Sequence, residues 1–186
     1  MPCGCGKKAA GTIHFMGSLN DDTPDPVHWG PILWKYLHCL TEKIGMSGNI
    51  IVDIDQSNHI NTLIHTLHLI LPCPECQAHA NAYISTNPPP SLNGLNGNNL
   101  RSTLRNWLFT FHNNVLISKN QPIVINTPEE CQAQYSECAL LKCDYDVLVQ
   151  NGAKAVQLGW VKIEHWRKWY TTSEKLRIII GNIIIN

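Results

Sequence analysis

Apolar residues recur at helical spacing along three stretches of the chain. Trp29, Leu33, Tyr36, Leu37 and Leu40 mark one face of a first helix, which Pro31 can join in its opening turn and Gly45 can end. Ile60, Leu63, Ile64, Leu67 and Leu71 form a second such face, which runs straight into Pro72. A helix after Pro72 is closed by Pro88 to Pro90 and by the Gly/Asn-rich stretch up to Asn99. A fourth helix then carries Leu100, Leu104, Trp107, Leu108, Phe111 and Val115 on one side. The pattern reads as helices throughout, an all-α fold with a C-terminal extension, and is compatible with a compact four- or five-helix bundle.

The extension has two apolar features. Trp160, Trp166, Trp169 and Tyr170 lie among Lys162, Arg167 and Lys168, which reads as a short amphipathic helix packing its aromatics on the bundle in preference to a partner surface. Ile178-Ile179-Ile180 and Ile183-Ile184-Ile185 flank Gly181-Asn182, a hairpin pattern that should be covered by the bundle or by a second subunit.

With 186 residues and no internal repeat, the chain suits one core. The boundaries expected are an N-terminal segment over residues 1–27, a bundle over 28–122 and an extension over 123–186. Zero formal net charge and the lack of like-charge blocks argue against a nucleic-acid partner. No apolar run is long enough to span a membrane, and the N-terminus lacks the apolar stretch of a secretion signal. Eight cysteines without such a signal fit catalysis or metal binding in a reducing compartment.

Cys73 and Cys76 are the candidate catalytic pair. Cys-x-x-Cys can close a disulfide across one helical turn, and a helix N-terminus favours the thiolate. The same spacing also serves half of a zinc site. Because a helical face, not a strand, precedes Cys73, a thioredoxin-type βαβ site is disfavoured.

Three segments together resemble the Erv/ALR family of FAD-linked sulfhydryl oxidases, especially those of large DNA viruses. They are residues 29–38 (WGPILWKYLH), 71–83 (LPCPECQAHANAY) and 107–115 (WLFTFHNNV), and the resemblance covers about residues 28–122. It implies a helical bundle holding FAD at its mouth, protein dithiol substrates, molecular oxygen as acceptor, hydrogen peroxide as product and a homodimer. It implies Cys76 as the flavin-proximal sulfur and Cys73 as the one that meets substrate. Gly30, Trp34, His38, Tyr83, His112, Asn113, Val115 and Lys119 become the candidate cofactor-binding residues, with His112 and Asn113 on the adenine and ribose side. Tyr83 and His79, four apart, either line the flavin or cap the core.

The chain departs from the family pattern in places. Leu116 stands where Asn is usual, Gln121 where a Lys precedes Pro, and Pro31 where Arg is common, so Lys119 is the nearest cation for a phosphate. Phe109 replaces a structural cysteine, so that family disulfide is expected to be absent. Cys3-Gly4-Cys5 suits a shuttle dithiol or a metal-binding tail. Cys131, Cys138 and Cys143 leave a disulfide with one free thiol, a partial metal site or three buried thiols open, and Cys39 reads as a small core residue. Two rivals to the oxidase stand: a zinc module using Cys73, Cys76 and His79 with Cys39 or His68, and a virion scaffold without turnover. The Ile/Asn-rich composition and the viral look of the motifs point to the host cytoplasm, a viral factory or the virion.

Overall fold

The computed structural model describes residues 23–138, 140 and 142–184, with the backbone alone for residues 182–184. Cys3 and Cys5 lie outside the described residues. Among those described there are seven α-helices and no strand: α1 Pro26–Lys43, α2 Ile50–Thr66, α3 Pro74–Thr86, α4 Gly97–Ser118, α5 Pro128–Tyr135, α6 Lys142–Gln157 and α7 Ile163–Ile184. A 3₁₀ turn, Leu67–Leu69, joins α2 towards α3. The all-α expectation holds.

Short polar side chains start α1, α2 and α5 by taking up free amide hydrogens. Asp25 accepts from the Val27 N–H at 2.9 Å, Asn49 from Ile51 at 2.9 Å and Thr127 from Glu130 at 3.1 Å. Because α1 begins at Pro26, Pro31 sits inside the helix and not in its opening turn. Its ring has no N–H to return to the Val27 carbonyl.

α1 is central, packing on α4, α5 and α6, while α2 packs on α7. Leu33, Leu37, Leu40, Leu63, Leu104 and Phe111 share one buried cluster with Tyr145, Trp169, Leu176 and Ile180. The C-terminal helices therefore contribute to the same core as the bundle.

Polar contacts fix how α4 lies on α1. Gln56 Oε1 accepts from the Gly45 N–H at 2.8 Å, and buried Asp53 accepts from Ser47 Oγ at 2.6 Å and the Gly97 N–H at 2.8 Å. Gly45 has φ of 70°, and a Cβ there would collide with the Gly97 carbonyl, so the loop needs glycine on both counts. Arg105 on α4 donates from Nε and Nη2 to both carboxylate oxygens of Glu42 on α1, at 2.6 and 2.7 Å, with both side chains buried.

Cys39 is not a lone core thiol. It forms a disulfide with Cys138, Cα to Cα 5.7 Å, which ties α1 to the end of α5. Of the downstream cysteines, Cys131 is buried and Cys143 half-buried, both as free thiols.

The expected C-terminal hairpin is replaced by α7, which runs through Gly181 and Asn182 to Ile184. Trp166, Trp169, Ser173, Leu176 and Ile180 are all buried, and their helical spacing overrides the local turn signal. Of the four aromatics expected to pack on the bundle, Trp166 and Trp169 are buried, Tyr170 is 39% exposed and Trp160 lies half-buried in the turn before the helix. A Cβ on Gly152 of α6 would collide with the Trp166 ring, so the two helices meet through a bare backbone. Gly152→Leu is expected to cost about 1–3 kcal/mol by overpacking and to lower Tm by several degrees. An unchanged thermal melt would contradict this packing.

Candidate active site

Pro72 and Pro74 bracket Cys73 and end the apolar run from α2. Cys73 becomes the N-cap of α3, and its Sγ accepts from the Cys76 N–H at 3.1 Å. The two cysteines are joined as a disulfide, with Cα atoms 5.1 Å apart. The free amides of the α3 N-terminus stabilise negative charge on a sulfur at this position.

Cys76 faces a small, half-open cavity lined also by Trp29, Gly30, Trp34, His79, Phe111, Val115 and Lys119. A second, larger and more open cavity adjoins it, walled by Pro31, His112, Asn113, Leu116, Gln134 and Tyr135. The two share Pro26, Gly30, Trp34, Val115 and Lys119 as walls and so form one two-part cleft between α1 and α4. Cys73 lines neither part. A Cβ on Gly30, which borders both parts, would meet nothing within 4 Å, so the space beside its backbone is open. Among the described residues, Lys119 is the one Lys or Arg lining either cavity.

Phe111 and Val115 on α4 and Lys119 at its C-cap stand four apart, and that row forms one wall. An aromatic series continues it. The ring of Trp34 stacks on His112, centroids 4.2 Å apart and 11° from parallel, and meets the edge of Phe111 at 5.3 Å. Asn113 reaches across to the Ile125 carbonyl at 3.3 Å, securing the strand of chain that closes the outer compartment.

Two candidate residues lie away from the cleft. Tyr83 is buried behind Phe111, stacked on it at 4.6 Å, and does not line either cavity. His79, its partner four residues earlier, does. His38, 2% exposed, is turned inwards because α5 covers it, with Tyr135 stacked on its ring at 4.7 Å. Its Nε2 is 3.1 Å from His112 Nδ1 and its Nδ1 is 3.4 Å from Cys131 Sγ. Cys131 and Tyr135 had no local signal in the sequence, whereas Phe111 could have been placed from its row with Val115 and Lys119.

This row is held neutral. Burial, then His112, pushes His38 down to about 3; burial pushes His112 down to about 4; burial, then Glu42, pushes the Cys131 thiol up to about 11. With both histidines below their ordinary value of 6.5, the unfolded chain takes up protons first as the pH falls. The stability they contribute is whole above pH 6.5 and is lost as the pH drops, towards 4 for His112 and towards 3 for His38, by up to about 1.4 kcal/mol per pH unit for each. Thermal melts should show Tm falling through that window, less steeply in His38→Gln. Equal slopes for the two proteins would contradict it.

Among the described residues, no three His, Cys, Asp or Glu side chains gather as a metal site, and no helix is long and apolar enough to cross a membrane.

A family model described as Erv1 / Alr matches residues 31–136. An FAD-linked sulfhydryl oxidase of African swine fever virus is 32% identical over 98 residues, 53% of this chain and 73% of the relative. A probable FAD-linked sulfhydryl oxidase of Variola virus is 32% identical over 72 residues, 39% of this chain and 68% of the relative. The corresponding protein of Vaccinia virus strain Copenhagen is 31% identical over the same length. No solved structure matches the chain.

Proposed function

The chain belongs to the Erv1 / Alr family, and we propose on that footing that it is an FAD-linked thiol oxidase that turns protein dithiols into disulfides and delivers the electrons to molecular oxygen as hydrogen peroxide. The observation that carries this reading is that Cys76 of a closed Cys73–Cys76 pair lines a two-part cleft whose outer compartment is walled by Trp34, His112 and Asn113.

The residues present fit FAD. A dinucleotide needs two compartments for its flat ends and a narrow, cationic passage for its pyrophosphate. The cleft has two, joined at side-chain-free Gly30 with Lys119 beside it. Trp34, Val115 and Lys119 border both compartments, so they would hold the middle of the cofactor, with His112 and Asn113 at the adenine side. The absence of a Lys before Pro122 and of an Arg at Pro31 leaves Lys119 as the phosphate partner. When bound, flavin accepts two electrons from a dithiol and passes them to dioxygen.

The chain's own part is thiol–disulfide exchange. A substrate thiolate attacks Cys73 Sγ, the Cys73–Cys76 bond breaks, and Cys76 leaves as thiolate inside the cleft. The second substrate thiol, deprotonated, attacks the mixed disulfide and releases Cys73, so the pair now holds the substrate's two electrons. Cys73 suits the outer role because it stands outside both cavities at the helix N-terminus, where its thiolate is stabilised as the leaving group.

The viral origin of these relatives is in keeping with a viral setting, and the proposal extends to work on viral structural proteins in the host cytoplasm, a viral factory or the virion, by a homodimer. With dithiothreitol as substrate, one oxygen should be consumed and one peroxide formed per disulfide made, catalase returning half the oxygen. Thiol loss without peroxide would overturn the proposal.

A further inference from the structure

We propose that Gln77 is a positioning residue for the dithiol, and that the turn between α6 and α7, outside the matched residues 31–136, acts on the Cys73–Cys76 pair through it; this rests on the oxidase reading above. Gln77 follows Cys76 on α3. Its Nε2 donates to the Leu71 carbonyl at 2.8 Å and to the Trp160 carbonyl at 2.9 Å, so both amide hydrogens are used. The Leu71 carbonyl also accepts from the Cys73 N–H at 2.8 Å, and the Cys73 carbonyl accepts from the Gln77 N–H at 2.9 Å. The entry loop, the N-cap cysteine and the first turn of α3 are thereby closed into one ring of hydrogen bonds around the dithiol.

The third anchor of that ring comes from the C-terminal helices. α6 ends in a glycine turn: Gly159 has φ of 72°, its N–H donates to Val156 at 3.0 Å, and the Trp160 N–H donates to Ala155 at 2.9 Å. This pairing uses the Trp160 N–H within the turn and leaves its carbonyl to face Gln77. Behind it, Leu71 and Pro72 share a crevice with Leu148, Gly152 and Trp166, so apolar packing supports the same approach.

The physical consequence concerns how readily the disulfide closes. Two thiols held in register have a high effective concentration for each other, and freeing the 71–73 loop lowers it. The test is equilibration of full-length protein with glutathione, in which the protein dithiol and glutathione disulfide exchange to the protein disulfide and two glutathiones. Alkylation and mass measurement at Cys73 and Cys76 read it without oxygen or turnover, so the result stands apart from that of the oxidase test. Gln77→Met keeps the length but donates nothing. It should lower the equilibrium constant for disulfide formation about tenfold, equal to about 30 mV. Inserting one glycine after exposed Gly159 should shift it the same way, and adding Gln77→Met to the insertion should change it little further, since both act through one contact. A Gln77→Met value within about twofold of wild type, or shifts that add in full, would overturn the proposal.

Discussion

Cys76→Ser is expected to lower oxygen uptake with dithiothreitol by about 10³-fold or more, the loss typical of removing a reacting nucleophile. Cys73→Ser should do the same, but the two variants should differ in what they trap. In Cys76→Ser the remaining sulfur is Cys73, outside the cleft at the helix N-terminus, and its partner Cys76 is no longer there to resolve an adduct. It should accumulate a mixed disulfide with glutathione. In Cys73→Ser the remaining sulfur lines the inner cavity beside Gly30 and Trp34, so adducts should form far more slowly. Mass measurement after brief exposure to glutathione disulfide decides it, and equal labelling would mean that the roles of the two sulfurs are not divided as proposed.

Arg105→Ala is expected to be the most destabilising single change in the protein. It leaves the Glu42 carboxylate buried without either of its 2.6 and 2.7 Å partners. Breaking one side of such a pair costs about 3–5 kcal/mol, which for a chain of this size lowers Tm by about 10 °C. The pair need not be strongly stabilising as a pair, because desolvation offsets most of its attraction. Replacing both together, Glu42→Leu with Arg105→Met, should therefore recover most of the loss. A double variant as unstable as Arg105→Ala would contradict the reasoning. Because this brace joins α1 to α4, the two walls of the cleft, Arg105→Ala should also weaken cofactor retention.

Much of this was legible before any coordinates. The rows on α1 and α4 read correctly because a helix that buries one face repeats its apolar residues at 3.6-residue spacing, and Trp29, Leu33, Leu37 and Leu40 or Leu100, Leu104 and Phe111 do so cleanly. What failed was set by distant parts of the chain. Gly181 and Asn182 carry a turn signal, yet α7 continues because Trp169, Leu176 and Ile180 bury on the bundle. Cys39 pairs with Cys138 across 99 positions, a connectivity that no local pattern encodes. His38 shares a helix face with Trp34, but which side of that face meets the cleft was decided by α5, laid over it by Tyr135 and Cys131. Glu42 and Arg105 look like ordinary solvated charges until α1 and α4 are brought together.

The central claim is that the cleft holds FAD within reach of Cys76. Its most direct test is the visible spectrum of the purified protein as dithiothreitol is added without air. The wild type should be yellow, lose its flavin bands as the dithiol reduces the cofactor, and regain them on aeration, while Cys76→Ser stays yellow throughout. A colourless wild-type protein, or equal bleaching in Cys76→Ser, would contradict it.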